Sequence, residues 1–357
     1  MCGFIASFGQ DVNCKGFEDA MEHLKRRGPD SKGIWIKDDV FLGSRRLAIF
    51  DLNNRSNQPM TSLCSRYILL FNGAIYNYKA LRKYLIKSGI KLKTFSDTEV
   101  ILELFALEGP KMLHRLQGMF AFLIWDIENK EAFAARDPYG IKPLYIAKNT
   151  NGLILASQIK TLLATKKIKN DKDLFSEYFF KNFGFVIEPH TWFNNIKSLK
   201  SGHYIKVKEG KIITEKQWYN IENLWVNADK NIKKISKKEC IKLVNEAVTD
   251  TIKKHLIADV PIGIFLSAGI DSALLASIVS SNSKKNIIAI TVLFDDFKNS
   301  NYDETHKAKI ISEKLGLKHH IFKVTKEDFF KDLPLILSAM DQPSIDGINT
   351  WYASKAA

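Results

Sequence analysis

Cys2 stands directly behind the first methionine in "MCGFIASFG". Removal of that methionine is expected because the next side chain is small. Cys2 then carries a thiol and a free α-amine on one residue. A thiol attacks well only as a thiolate and needs a base beside it. An α-amine, with an ordinary pKa of about 8 against about 8.5 for the thiol, can be that base, so no histidine is required. A second stretch, "GIFLSAGIDSALLAS" over 263–277, offers different chemistry. It joins a strand to a helix through small residues, and backbone N–H groups at a helix N-terminus make an anion site. It is not a Walker A loop, because the lysine of that motif is absent. Taken alone, Cys2 could be an accident of the first codon, and the loop a plain turn with Asp271 as a helix cap.

The elements that must position these residues fall into two patterns. To about residue 210 the chain reads as short strands and turns with a few helices. Tyr67–Phe71 is a buried-type strand running into Asn72-Gly73, a turn signal. "GMFAFLIWD" and "EAFAARD" read as two strands joined at "IENK". "SDTEVILELFALEG" reads as a helix capped by Ser96 or Asp97 and stopped near Gly109. Residues 211–236 are polar and irregular and read as a linker. Beyond it, Ile241, Val244, Ala247, Val248, Ile252 and Leu256 share one helical face. Strand, helix, strand, helix, strand then follow to "HHIFKV", which predicts a parallel sheet. The chain stops after three such strands, where an open α/β domain wants more, and it reads as truncated.

The bulk composition narrows the class. A length of 357 residues with 45% hydrophobic content favours two domains over one. The four cysteines, Cys2, Cys14, Cys64 and Cys240, form no CxxC pair, so neither a zinc ribbon nor a disulfide framework is indicated. A reducing, cytoplasmic setting fits that usage. No signal peptide is legible, and no apolar run is long enough to span a bilayer. The net charge of +14 is spread in single and double lysine steps such as Lys166-Lys167 and Lys284-Lys285. Without a basic block interleaved with aromatics, neither nucleic acid nor a membrane is expected as a partner.

Five ordered stretches change the reading of Cys2. "MCGFIA", "RRGPDSKG" (26–33), "SRRLAIFDL" (44–52), "FNGAIYN" (71–77) with "SDTEVI" (96–101), and "ARDPYGIKPLY" (135–145) together resemble the glutaminase domain of class II, N-terminal-nucleophile amidotransferases. The match runs on to "SQIKTLL" (157–163). The resemblance implies an αββα sandwich over residues 1–210. It also implies that Cys2 attacks the side-chain amide of glutamine, with the oxyanion held by the Asn72 side chain and the Gly73 N–H. Arg46 would meet the α-carboxylate of glutamine, since the family places its arginine directly before Leu47. Asp97 would meet the α-ammonium. Ala74 replaces the family's usual glutamate, which implies weaker glutamine binding.

The 263–277 loop is similar to the pyrophosphate loop of ATP pyrophosphatases, with Ala268 and Ala273 as departures. The resemblance implies that Ser267, Gly269 and Ser272 hold phosphate and that Asp271 binds Mg²⁺. Leu266 and Val292, at the ends of adjacent strands, would contact the adenosine. "DETHKAKIISEKLG" (303–316) and "DQPSIDGINTWYASKAA" (341–357) extend the likeness to glutamine-hydrolysing asparagine synthetases. The second domain, 237–357, is then an incomplete, Rossmann-like α/β ATP-pyrophosphatase domain, and the family's second Gly- and acid-rich loop is expected past residue 357.

The implied activity is glutamine-dependent asparagine synthesis. Cys2 releases ammonia from glutamine, ATP adenylates the β-carboxylate of aspartate, and ammonia displaces AMP. ATP and Mg²⁺ are the implied cofactors, and family analogy implies a homodimer. A close rival keeps the chemistry and amidates a sugar carboxylate of surface polysaccharide. A second is a non-catalytic glutamine-binding relic, and a third, a tRNA-modifying ATP pyrophosphatase, leaves the first domain unexplained. Other residues read as structural. His319-His320 should place one ring against the protein and one in solvent. Glu99 and Glu103 read as a solvated helix face. Cys14, Cys64 and Cys240 read as small hydrophobes.

Overall fold

A computed structural model describes residues 2–9, 14–149, 152–230, 235–282 and 287–357. The Lys284-Lys285 step and residues 231–234 of the expected linker lie outside the described residues, as does the Cys14 side chain. The chain divides into two compact units, Met1–Ile232 and Lys233–Ala357.

The amino-terminal unit is built on two six-stranded sheets. One runs Ile196–Ser198, Tyr145–Asn149, Gly152–Ala156, Gly3–Gly9, Val40–Arg46, Ser31–Lys37. The other runs Lys211–Gln217, His203–Lys208, Glu131–Arg136, Gly118–Asp126, Tyr67–Ile75, Met60–Thr61. Strand side chains alternate between faces, and both faces of these sheets are apolar. Phe4, Ala6, Phe8, Val40 and Leu42 of the first sheet meet Ile68, Leu70, Ala121, Leu123 and Trp125 of the second in one buried core. The intervening Ile5, Phe41 and Ile154 face the other way, onto Phe17, Met21, Leu24, Ile159 and Leu162 of the covering helical segments. On the far side of the second sheet, the helix Asp97–Glu108 stacks Phe105 on Phe133 with ring centres 5.1 Å apart. The result is the αββα sandwich the resemblance implies.

The hairpin at "IENK" forms as read from the sequence, its Glu128 and Asn129 N–H groups donating to Asp126 Oδ1. Asn72-Gly73 does not turn. The strand continues through it to Ile75, with Asn72 opposite Ala121 and Gly73 opposite Phe120. The local preference of the pair yields to the ladder on its flank. Residues 211–217, read as irregular, are a strand paired with His203–Lys208, and Ile221–Lys230 is a helix.

The second unit holds a three-stranded parallel sheet in the order Gly263–Phe265, Ile288–Phe294, Lys318–Val324. The helix Lys237–His255 buries Ile252 against Ile278, Val279 and Ile287, but Ile241 and Val244 of the same expected face are exposed. Tyr352, fully buried, packs edge-on to Phe294 with ring centres 5.4 Å apart. His319 is half-buried and bonds Thr291 at 2.8 Å, whereas His320 is exposed, as strand alternation requires. Among the described residues no helix is long and apolar enough to cross a membrane.

Candidate active site

Period-two alternation gathers the first site. Gly3 is paired with Arg45, so Cys2, one step further, lies across from Arg46. Both belong to the parity that faces between the sheets, together with Phe4 and Leu42. On the opposite sheet the parity of Ile68 and Leu70 continues to Asn72 and Ala74. One pocket is lined by Cys2, Arg46, Asn72, Gly73, Ala74, Asp97 and Lys142. The five residues assigned from the resemblance therefore share one cleft. Arg45 is turned the other way and pairs with Glu22.

Each side chain is held. The Cys2 thiol donates to the Leu47 carbonyl at 3.6 Å. Burial pushes that thiol above its ordinary range, against the pull of the Leu47 bond. Arg27 Nε donates to the Cys2 carbonyl at 3.1 Å. With its amide turned so that donors face acceptors, Asn72 donates to the same carbonyl at 2.9 Å and accepts from Arg27 Nη2 at 3.3 Å. Gly73 has no room for a side chain, because a Cβ there would lie 2.3 Å from the Met119 carbonyl. The Arg46 guanidinium donates to the carbonyls of Phe50, Asp51 and Asn53 and to Asn57 Oδ1, at 2.7–3.2 Å.

Ser96 is the cap of the 97–108 helix, its hydroxyl accepting from Glu99 N at 3.3 Å. Asp97 follows it as the first residue of the helix. Its Oδ2 accepts from Ile75 N at 3.0 Å, and burial raises its pKa to about 7 against the backbone N–H groups that favour the anion. Of the pocket-lining residues, Asp97 is the single carboxylate.

Two helix residues correct the expectation of a solvated face. Glu99 and Glu103 are each 4% exposed. Glu99 accepts from Lys93 N, Thr94 N and Thr94 Oγ1, each at 2.7 Å, and Glu103 from Leu63 N at 2.7 Å. They fasten irregular segments to the helix, a task that needs burial. Cys64 and Cys240 are exposed rather than packed as small hydrophobes. Arg27 and Lys142 escaped assignment from the sequence. Each lies inside a quoted motif, and their charges point inward only once the turns around them form.

In the second unit the 267–272 loop closes on itself. Ser267 and Ser272 hydroxyls are 2.9 Å apart, Ser267 N donates to Ser272 Oγ at 3.1 Å, and Gly269 N donates to Ser267 Oγ at 3.0 Å. Asp271 is exposed in the first turn of the helix Ile270–Asn282. Leu266 and Val292 do lie at adjacent strand ends. The Leu266 side chain is core, packed with Ala276, Ala289 and Ala308, and Val292 packs against the cluster around Tyr352. Among the described residues no three metal-binding side chains cluster.

Two family models match the chain: a glutamine amidotransferase domain over residues 1–219 and asparagine synthase over residues 243–357. The chain is 32% identical over 368 residues to glutamine-hydrolyzing asparagine synthetase 1 of Bacillus subtilis (strain 168), covering 100% of this chain and 56% of that one. It is 30% identical over 385 residues to putative glutamine-hydrolyzing asparagine synthetase 2 of Methanocaldococcus jannaschii, covering 100% and 72%. Glutamine-hydrolyzing asparagine synthetase B of Escherichia coli (strain K12) is 31% identical over 268 residues, covering 74% and 41%. The chain thus spans just over half the length of its Bacillus relative.

Proposed function

Because the chain belongs to the glutamine-hydrolysing asparagine synthetase family, we propose that its first unit releases ammonia from glutamine at Cys2 and that its second unit serves ATP-dependent amide formation. The observation that carries the reading is the single cleft containing Cys2, Arg46, Asn72, Gly73 and Asp97.

With the methionine removed, the α-amine of Cys2 takes the thiol proton. The thiolate attacks the side-chain carbonyl of glutamine, and the Asn72 amide with the Gly73 N–H faces the oxyanion that forms. The α-ammonium of Cys2 gives that proton to the departing nitrogen, and collapse expels ammonia and leaves a γ-glutamyl thioester, which water cleaves to glutamate and free Cys2. Arg46 faces the α-carboxylate and Asp97 the α-ammonium. With Ala74 carrying no charge, the ammonium rests on Asp97.

In the second unit, Ser267, Gly269 and Ser272 present N–H and O–H groups at a helix N-terminus, which suits phosphate. The serine hydroxyls that now bond these N–H groups stand where phosphate oxygens would. Asp271 fits Mg²⁺, which proteins usually hold through one or two carboxylates while substrate phosphates complete the shell. Bound there, Mg²⁺ would neutralise phosphate charge. The acceptor we assign is the β-carboxylate of aspartate, by the likeness to the relatives named above.

Glutamate release from glutamine, measured on this chain beside Cys2→Ala, tests the first half. Release that disappears in the variant is the expected result. No release from folded protein with a free amino-terminal cysteine would overturn it.

A further inference from the structure

The stretch 135–145 is densely bonded. Asp137, fully buried, accepts from the main-chain N–H groups of Phe120, Tyr139, Ile141 and Lys142 at 2.9–3.1 Å. Arg136, 4% exposed, donates to the carbonyls of Gly140, Lys142 and Leu199 and to Ser198 Oγ at 2.6–2.8 Å. Lys142 is thus fastened on both sides, its N–H by Asp137 and its carbonyl by Arg136. Its side chain is 3% exposed and lines the same pocket as Cys2. A buried ammonium is costly unless its surroundings use the charge. Reactive cysteines, in turn, are found in electropositive surroundings.

We propose that Lys142 is an electrostatic positioning residue for Cys2: the turn built by Arg136 and Asp137 holds its ammonium in the nucleophile's pocket, where it favours the thiolate over the thiol. This rests on the reading of Cys2 as the nucleophile. No bond is made or broken by Lys142; it shifts a proton equilibrium whose proton goes to the α-amine or to water. The charged groups around the thiol are Asp97, Arg46 and Lys142, and those around Lys142 are Arg27, Cys2 and Asp137. Burial and then Arg27 lower the pKa of Lys142 to about 8, so its charge is largely present at pH 7 and below and is lost above about 8.

The test follows alkylation of Cys2 by iodoacetamide against pH, in a Cys14→Ser/Cys64→Ser/Cys240→Ser background that leaves Cys2 as the single thiol. The readout is the alkylation rate at pH 6–7, where Lys142 is charged, divided by the limiting rate at high pH, which carries the intrinsic nucleophilicity of the thiolate. Lys142→Met should lower that ratio about threefold or more, the thiolate lost with about half a pKa unit. Lys142→Arg should restore it. If Lys142→Met does not fold, Lys142→Gln carries the same expectation. A folded, uncharged variant with the wild-type ratio would overturn the proposal. So would an arginine variant that falls as far as methionine. Failure of the glutaminase reading shows separately, as absent glutamate release from the wild type with the alkylation shift intact.

Discussion

Asp97 Oδ2 accepts the main-chain N–H of Ile75 at 3.0 Å, tying the start of a helix to the strand that carries Asn72 and Gly73. The same carboxylate is held by burial at a pKa of about 7, well above the usual aspartate range. Asp97 is therefore half protonated near neutrality in the free protein. An ammonium ligand requires the anion. We expect kcat/KM for glutamine to fall about tenfold per pH unit below 7, since that ratio reports the free enzyme. An acid limb centred near pH 4 would contradict it.

Stability should run the other way. A carboxylate with a raised folded pKa binds its proton more tightly when folded. Its contribution is favourable at low pH and is lost as pH rises from about 4 to about 7. Asp97→Asn keeps an acceptor for Ile75 N and removes the buried charge. Its Tm should exceed that of the wild type at pH 8, and the difference should vanish by pH 4–5. Its KM for glutamine should rise more than tenfold, a loss above about 1.4 kcal/mol.

Gly73→Ala forces a methyl toward the Met119 carbonyl, 2.3 Å from the Cβ position, and toward the Phe71 ring at 2.7 Å. Main chain on a paired strand cannot step aside cheaply. We expect a loss of about 1–3 kcal/mol in denaturant unfolding together with loss of glutamate release. A stable, active variant would show that the strand can shift.

Glu99→Ala strands the N–H and the hydroxyl of Thr94 in the interior and removes the acceptor of the part-buried Lys93 N–H. Unsatisfied buried donors cost about 1–3 kcal/mol each, so the variant should unfold at markedly lower denaturant. A change within about 0.5 kcal/mol, the range of ordinary surface substitutions, would mean that water reaches those groups.

Ser272→Ala removes the hydroxyl that accepts Ser267 N and faces Ser267 Oγ. If this loop holds phosphate, ATP affinity measured by calorimetry should fall about tenfold, the equivalent of one hydrogen bond to a charged group. Glutamate release should be unaffected.

Much of this was legible beforehand. The strands of "GMFAFLIWD" and "EAFAARD" and the parallel strands of the second unit follow from unbroken apolar runs, which tertiary contacts reinforce rather than oppose. Asn72-Gly73 misled because a turn preference is local, whereas nine strand residues paired in one ladder with Gly118–Asp126 are not. Lys211–Gln217 misled because it is an edge strand, polar on its open side. Glu99 and Glu103 misled because helical spacing cannot tell a carboxylate facing solvent from one facing the amides of a distant loop. The candidate site was readable through Cys2, Arg46, Asn72, Gly73 and Asp97. Lys142 was not, since its inward direction depends on Arg136 and Asp137 bonding main-chain atoms.

The turn at 137–142 has a consequence for how it tolerates change. Its shape is specified by one carboxylate and one guanidinium acting on backbone groups, while Tyr139 and Ile141 stay more than half exposed. Mutational freedom should therefore be broad at positions 138, 139 and 141. It stops at Gly140, where φ is +66° and a Cβ would press on the Arg136 guanidinium at 3.0 Å. A saturation library of this turn would record a mosaic in which permissive and forbidden positions alternate within six residues.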